Sequence, residues 1–239
     1  MQQSNTYLLS TRVLDDTLVR RAAESKLIIE CVSFIETRHL QSEALQQQLQ
    51  DLAGEPVTAI FTSMNAVNAV AAQISNVPHW KIFCTGGVTK EYVIKYFGEA
   101  SIAATAKNAT ILAEKIIAAK PATPLIFFCG DQRLNDLPEL LKAHGKTVSE
   151  IVVYTTEQTP VFVEKNYQGI LFFSPSAVHS FFSLNTVPTD VVLFSIGQTT
   201  AATIQSYCTN KVVVSQWPGA ESMIDLVIEY YEEQTTKAL

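Results

Sequence analysis

"FTSMNAV" fills residues 61–67 and "FFSPSAV" fills residues 172–178. Each reads as the end of a strand, a small polar turn and the start of a helix. Phe61 and Phe172, Ser63 and Ser174, Ala66 and Ala177, and Val67 and Val178 stand 111 residues apart. The same spacing continues through "IFCTGGVTK" and "LFSIGQTTA", where Phe83 meets Phe194, Gly86 meets Gly197 and Thr89 meets Thr200. It extends to Ala109 with Ala220 and Glu114 with Asp225. A second spacing, 120, relates Leu14 to Leu134, Asp16 to Asp136, Lys26 to Lys146, Glu30 to Glu150 and Val32 to Val152, and it sets Phe34 opposite Tyr154. A chance motif does not hold register this long, so the chain contains a duplication.

Two kinds of unit therefore alternate, first, second, first, second. The first kind, residues 5–34 and 124–154, reads strand, helix, strand. The second kind adds strands near Ala59–Thr62, Lys81–Cys84, Ile170–Phe173 and Val191–Ile196. Short β-rich runs separated by helices of eight to twelve residues point to an α/β fold with about five parallel strands in each of two similar domains. The link "AAKPAT" at residues 118–123 is tight, whereas residues 35–58 and 155–169 are long joins. Short links stay inside compact domains. Residues 39–152 are therefore expected to form a continuous domain, and residues 1–34 with 160–239 a discontinuous one. Residues 35–38 and 153–159 would then cross side by side as a two-stranded linker.

Composition narrows the function. The 239 residues are 47% hydrophobic and 17% charged, enough apolar material for sizeable cores and too much for disorder. No basic leader precedes an apolar run and no stretch of about 18 apolar residues occurs, so a cytoplasmic protein is expected. Cys31, Cys84, Cys129 and Cys208 form no CxxC pair and read as mostly buried thiols rather than a zinc site or disulfide framework. A net charge of −6 offers no basic stripe for nucleic acid. Neither phosphate fingerprint is present, Ser174 lacks the GxSxG elbow, and His39, His79, His144 and His179 are scattered.

What remains is a set of polar turns. In an open parallel sheet, ligands sit at the carboxyl ends of the strands, where helix N-termini present free N–H groups. The candidates are Thr62, Ser63 and Asn65; Thr85 and Gly86, followed by Gly87 and Thr89; and Gly130, Asp131 and Arg133. In the other domain they are Thr11 and Arg12; Ser174, Pro175 and Ser176; and Gly197, Thr199 and Thr200. Ser and Thr before a helix are also ordinary N-caps, and Pro175 an ordinary helix start, so both readings stand for any one turn. Tyr154 stands apart by position, at the handover from the central domain to the crossing segment.

The ordered set of "FTSMNAV", "FFCGDQR", "VYTT", "FFSPSAV" and "SIGQTTA" resembles the uroporphyrinogen-III synthase family over essentially the whole chain. The segment "CTGGVTK" departs from the family pattern, which more often has a single glycine there. The resemblance implies flavodoxin-like domains, an active cleft between them and no metal or organic cofactor. Its substrate is hydroxymethylbilane, a carboxylate-rich linear tetrapyrrole that loses hydroxide unaided and cyclises spontaneously to the type I isomer. The family steers closure through a spiro intermediate to the type III isomer, with ring D inverted. It also implies a transient contact with the preceding pathway enzyme. On this reading Tyr154 assists hydroxyl departure, and the polar turns, with Arg12, Arg133 or Lys146, receive carboxylates. The competing reading of the same residues is a non-catalytic bilobal binding protein or sensor for a small anion.

Overall fold

The computed structural model describes residues 5–237. In chain order its elements are β1 (Thr6–Ser10), α1 (Asp16–Glu24), β2 (Leu27–Cys31), β3 (Ile35–His39), α2 (Glu43–Ala53), β4 (Thr58–Phe61), α3 (Met64–Ala71), β5 (Lys81–Thr85), α4 (Val88–Phe97) and β6 (Ile102–Ala106). They continue with α5 (Ala109–Ala119), β7 (Leu125–Gly130), α6 (Asp136–Ala143), β8 (Val148–Gln158), β9 (Gly169–Phe172), α7 (Pro175–Phe182), β10 (Val192–Ser195), α8 (Gln198–Gln205), β11 (Val212–Val214) and α9 (Ala220–Lys237).

Two compact units share these elements. Residues up to Glu36 and from Glu157 onward make one, and Thr37–Thr156 make the other. The discontinuous unit has a five-stranded sheet in the order β11-β10-β9-β1-β2, with parallel pairing throughout. In the continuous unit the order is β3-β8-β7-β4-β5-β6. Its β6-β5-β4-β7-β8 part is parallel, and bonds at Leu40 with Val153 and Thr159 with Phe34 run β3 antiparallel to β8.

Central strands such as β4 and β9 are buried on both faces and read as unbroken apolar runs, as parallel strands covered by two helix layers must. In the continuous unit one core, with Phe61, Trp80 and Phe128 stacked, lies under α2, α3 and α4; the other lies under α5 and α6. In the discontinuous unit α7 and α8 cover one face and α1 and α9 the other.

Both five-strand orders superpose element by element, β4 on β9, β5 on β10, β6 on β11, β7 on β1 and β8 on β2. The spacing of 111 carries β4–α4 onto β9–α8 without correction. The spacing of 120 needs one. Thr58 pairs with Leu125, and Gly169, its counterpart, pairs with Leu8, so β1 and β7 correspond at 117. Leu8 pairs with Ile29 and Leu125 with Val148, so β2 and β8 correspond at 119. Both spacings differ from 120 by an odd number, which in a strand sends every side chain to the opposite face. The helices keep 120 (Asp16 and Asp136 both open theirs), so the length differences lie in the loops. Left-handed backbone supports this, since Lys26 (φ 61°) and Gly145 (φ 70°) occupy the same turn 119 apart.

Candidate functional site

Each sheet reverses its order of growth once, between β4 and β7 in one unit and between β9 and β1 in the other, and ligands of open α/β sheets bind at the carboxyl end of such a switch point. In the continuous unit this end holds Tyr154. The pairing of Cys129 with Val152 is followed by Gly130 with Tyr154, so β8 carries a bulge at Val153. The bulge lets Val153 and Tyr154 face the same core in succession, and it re-aims the phenol. Continued strand register puts Phe34 opposite Val153, both fully buried, so Phe34 is not the counterpart of Tyr154 as the spacing of 120 had it.

Gly130 makes room for the ring. A Cβ on it would lie 2.5 to 2.8 Å from Tyr154 Cζ, Cε2 and Oη. Ser63, the N-cap of α3, accepts the Asn65 N–H at 3.2 Å and hydrogen-bonds Tyr154. Either hydroxyl can donate in that bond, and with Ser63 as the donor the Tyr154 proton is left for another acceptor. Burial pushes the phenol above its ordinary value while the Ser63 bond pulls the other way. Tyr154 is thus protonated at neutral pH. The Asp131 N–H donates to Tyr154 O at 3.1 Å, Asp131 Oδ1 accepts the Thr156 N–H at 2.9 Å and Gln132 Nε2 donates to Thr156 O at 2.8 Å, which stitches the β7–α6 turn to the strand carrying the phenol.

The other polar residues of this unit divide. Thr62 and Asn65 are half-buried beside Ser63, and Thr85 closes β5, with the Gly86 N–H donating to Ala106 O at 2.8 Å and Gly87 at φ 62° capping α4. Thr89 is buried. Arg133 is ion-paired with Glu150 and bonded to Asn135. It lines, with Lys142 and Lys146, a groove of about 400 Å³ along α6 and β8 that contains neither Tyr154 nor Ser63. Cys84 and Cys129 are buried, which pushes each thiol up to about 11, and neither is a nucleophile at neutral pH.

In the discontinuous unit, three buried serines pin the turns at the carboxyl end. Ser10 Oγ donates to Arg12 O at 2.7 Å, Ser195 Oγ to Gly197 O at 2.6 Å and Ser215 Oγ to Trp217 O at 2.7 Å. Each bond engages a turn carbonyl, an acceptor that would repel a carboxylate. Arg12 extends over the Phe173 ring at 5.0 Å, and desolvation there lowers its pKa while an arginine stays charged. Thr11 Oγ1 is spent on Leu171 O at 2.8 Å. Ser174 caps α7 by accepting the Ala177 N–H at 3.1 Å, Pro175 opens that helix and Ser176 is half-buried in its first turn. Gly197 caps α8, Thr199 is exposed behind it, and Thr200 is 3% exposed with its side chain in the fold. Ser63 and Ser174 thus fill the capping role read from sequence, each beside a switch point. The serine pins, the Arg12–Phe173 contact and the bulge were not foreseen; the spacing Ser-x-Arg, Ser-x-Gly and Ser-x-Trp at three strand ends was the available signal.

The family model for uroporphyrinogen-III synthase HemD matches residues 16–225. No curated protein sequence matches the chain. Among solved structures, uroporphyrinogen-III synthetase from Helicobacter pylori aligns with a TM-score of 0.66 at 15% identity, over 95% of this chain and 99% of that one. A substituted uroporphyrinogen III synthase from Thermus thermophilus aligns with a TM-score of 0.65 at 12% identity, over 97% and 99%. The wild-type form of that protein gives 0.51 at 12% identity, over 98% and 100%. At these identities the structural likeness concerns the fold.

Proposed function

The chain belongs to the uroporphyrinogen-III synthase family, and we propose that Tyr154 and the donor-bearing turns carry the family's reaction, closure of hydroxymethylbilane to uroporphyrinogen III with inversion of ring D. The enzyme is a cyclising lyase, and each turnover releases one water. The observation that carries the assignment of roles is the Tyr154 phenol, hydrogen-bonded by Ser63 at a switch point and seated against Gly130.

Tyr154 donates its O–H to the departing hydroxyl of ring A, which leaves as water with the C–O bonding electrons. The resulting azafulvene cation is attacked by the substituted carbon of ring D to form the spiro centre. Reopening and reclosure with ring D inverted end in loss of the proton on the ring carbon, and that proton restores the phenol through solvent. A buried phenol is a weak acid, so its share is modest. General acids contribute typically about 10² to 10⁴ in rate, and a leaving group that departs unaided needs the lower end.

Product choice is mainly a matter of positioning. Helix N-termini at α3, α4, α7 and α8 and the charge of Arg12 receive the substrate's carboxylates, which a chain of net charge −6 does not attract from a distance. Because free substrate drifts to the type I isomer, direct handover from the enzyme that makes it is part of this reading.

The test is Tyr154→Phe with isomer analysis of the oxidised products. Thermal unfolding should stay near wild type while type III formation falls at least about tenfold and type I accumulates. A stable variant with unaltered type III turnover would remove Tyr154 from the chemistry.

A further inference from the structure

Donors for carboxylates leave half of the ligand unexplained, since the pyrrole rings between those carboxylates are flat and apolar-faced. At the carboxyl end of the discontinuous unit's sheet, one side chain suits them and the duplication does not account for it. Trp217 follows β11 and is 59% exposed. Cys84 pairs with Thr105 and Ser195 with Val214, so β11 follows β6 at a spacing of 109, while the helices after them keep 111 (Ala109 and Ala220). Trp217 therefore lies in a turn two residues longer than the matching turn of the other unit, and the scaffold shared by the two units does not require an indole here.

The turn that holds it is built for one geometry. Ser215, 8% exposed, donates its hydroxyl to Trp217 O at 2.7 Å and its N–H to Ser195 O at 2.8 Å. Pro218 follows with its fixed φ, and Gly219 takes φ 128°, which a residue with a Cβ adopts only under strain. Next inward lies the β10–α8 turn, where nothing comes within 4 Å of the position a Cβ on Gly197 would take. Beyond β9, Arg12 lies over Phe173. The order β11-β10-β9 therefore sets an exposed indole at the sheet's edge, an open step at Gly197, and an aromatic ring carrying a guanidinium two strand spacings away, about 10 Å.

Resting on the reading of the site given above, we propose that the Trp217 indole is a stacking surface for a pyrrole ring of the tetrapyrrole, and that it helps hold the chain in the fold that closes to the type III isomer. Indole faces prefer offset stacking on other π systems, and covering one removes a large apolar area from water.

Trp217 can be followed without labelling, because the chain has two tryptophans and Trp80 is 2% exposed in the core of the continuous unit. Acrylamide quenching of the unmodified protein therefore reads Trp217. Adding uroporphyrinogen III under reducing conditions should protect the emission from acrylamide, and unchanged quenching at a ligand concentration where equilibrium dialysis shows binding overturns the proposal. In turnover, Trp217→Ala should raise KM about tenfold and increase the type I share, whereas Trp217→Phe stays near wild type. A loss of melting temperature in Trp217→Ala with KM and isomer ratio unchanged assigns the indole to packing and likewise overturns it. Failure of the wild-type protein to make type III product would instead overturn the function on which the proposal rests.

Discussion

Gly130 shows how the absence of one side chain sets the position of another. Its missing Cβ leaves the space in which the Tyr154 ring lies, and the ring atoms that a methyl would meet at 2.5 to 2.8 Å include the phenol oxygen itself. Gly130→Ala should therefore push the ring off Ser63, costing about 1 to 3 kcal/mol of stability for the overpacking and lowering type III formation to the level of Tyr154→Phe. Adding Tyr154→Ala should return part of the lost stability, because the clash then has no partner. Urea unfolding of both single variants and the double variant measures this, and strictly additive losses would show that the two residues do not share the space. Burial raises the Tyr154 pKa, so the folded protein favours the neutral phenol. The sign follows directly: that contribution is complete below the ordinary phenol value near 10 and is lost as pH rises through the folded value, which leaves the donor protonated across the neutral range.

Among the elements, α7 joins the ligand end to the core and carries a flaw. Ser180 is fully buried in it and its Oγ finds no hydrogen-bond partner, while the corresponding residue of α3, Ala69, is equally buried and has no polar group. An unsatisfied buried hydroxyl costs about 1 to 3 kcal/mol, so Ser180→Ala should raise stability by about 1 kcal/mol, read as a higher urea midpoint at unchanged slope. A lower midpoint would mean that the hydroxyl is satisfied. The same elements show what could be read from sequence. The pairing of β4–α4 with β9–α8 was legible because every loop between those strands and helices has equal length in both copies. For β1–α1–β2 against β7–α6–β8, identities in the helices carried the spacing of 120, but loop lengths differ around them and the strands slip to 117 and 119. Strands β6 ("IAATA") and β11 ("VVV") escaped notice because small residues and a three-residue run carry little alternation. The turns at the switch points were visible as polar clusters, yet the serines that pin their carbonyls look in sequence like any other cap. Neither the bulge that turns Tyr154 inward nor the burial of Thr200 leaves a mark in residue identity, since the first depends on strand register and the second on which face of α8 meets the sheet.

For the whole molecule, duplication followed by divergence gives the two units different chemistry on one strand order. The continuous unit carries the phenol and its Ser63 partner; the discontinuous unit carries Arg12 and the serine-pinned turns. Residues 37–156 hold both faces of their sheet under their own helices, so a fragment of that span should unfold cooperatively by itself, and a non-cooperative urea transition would contradict its independence. Among the described residues no helix is long and apolar enough to cross a membrane. The central claim for this chain is that it selects how a spontaneously reactive tetrapyrrole closes, by holding it rather than by forcing the chemistry. That claim is tested most directly by giving freshly made hydroxymethylbilane to an excess of the purified protein and separating the oxidised uroporphyrin isomers. The type III isomer should dominate and its share should grow with protein concentration; type I alone, in the proportion formed without protein, would contradict the claim.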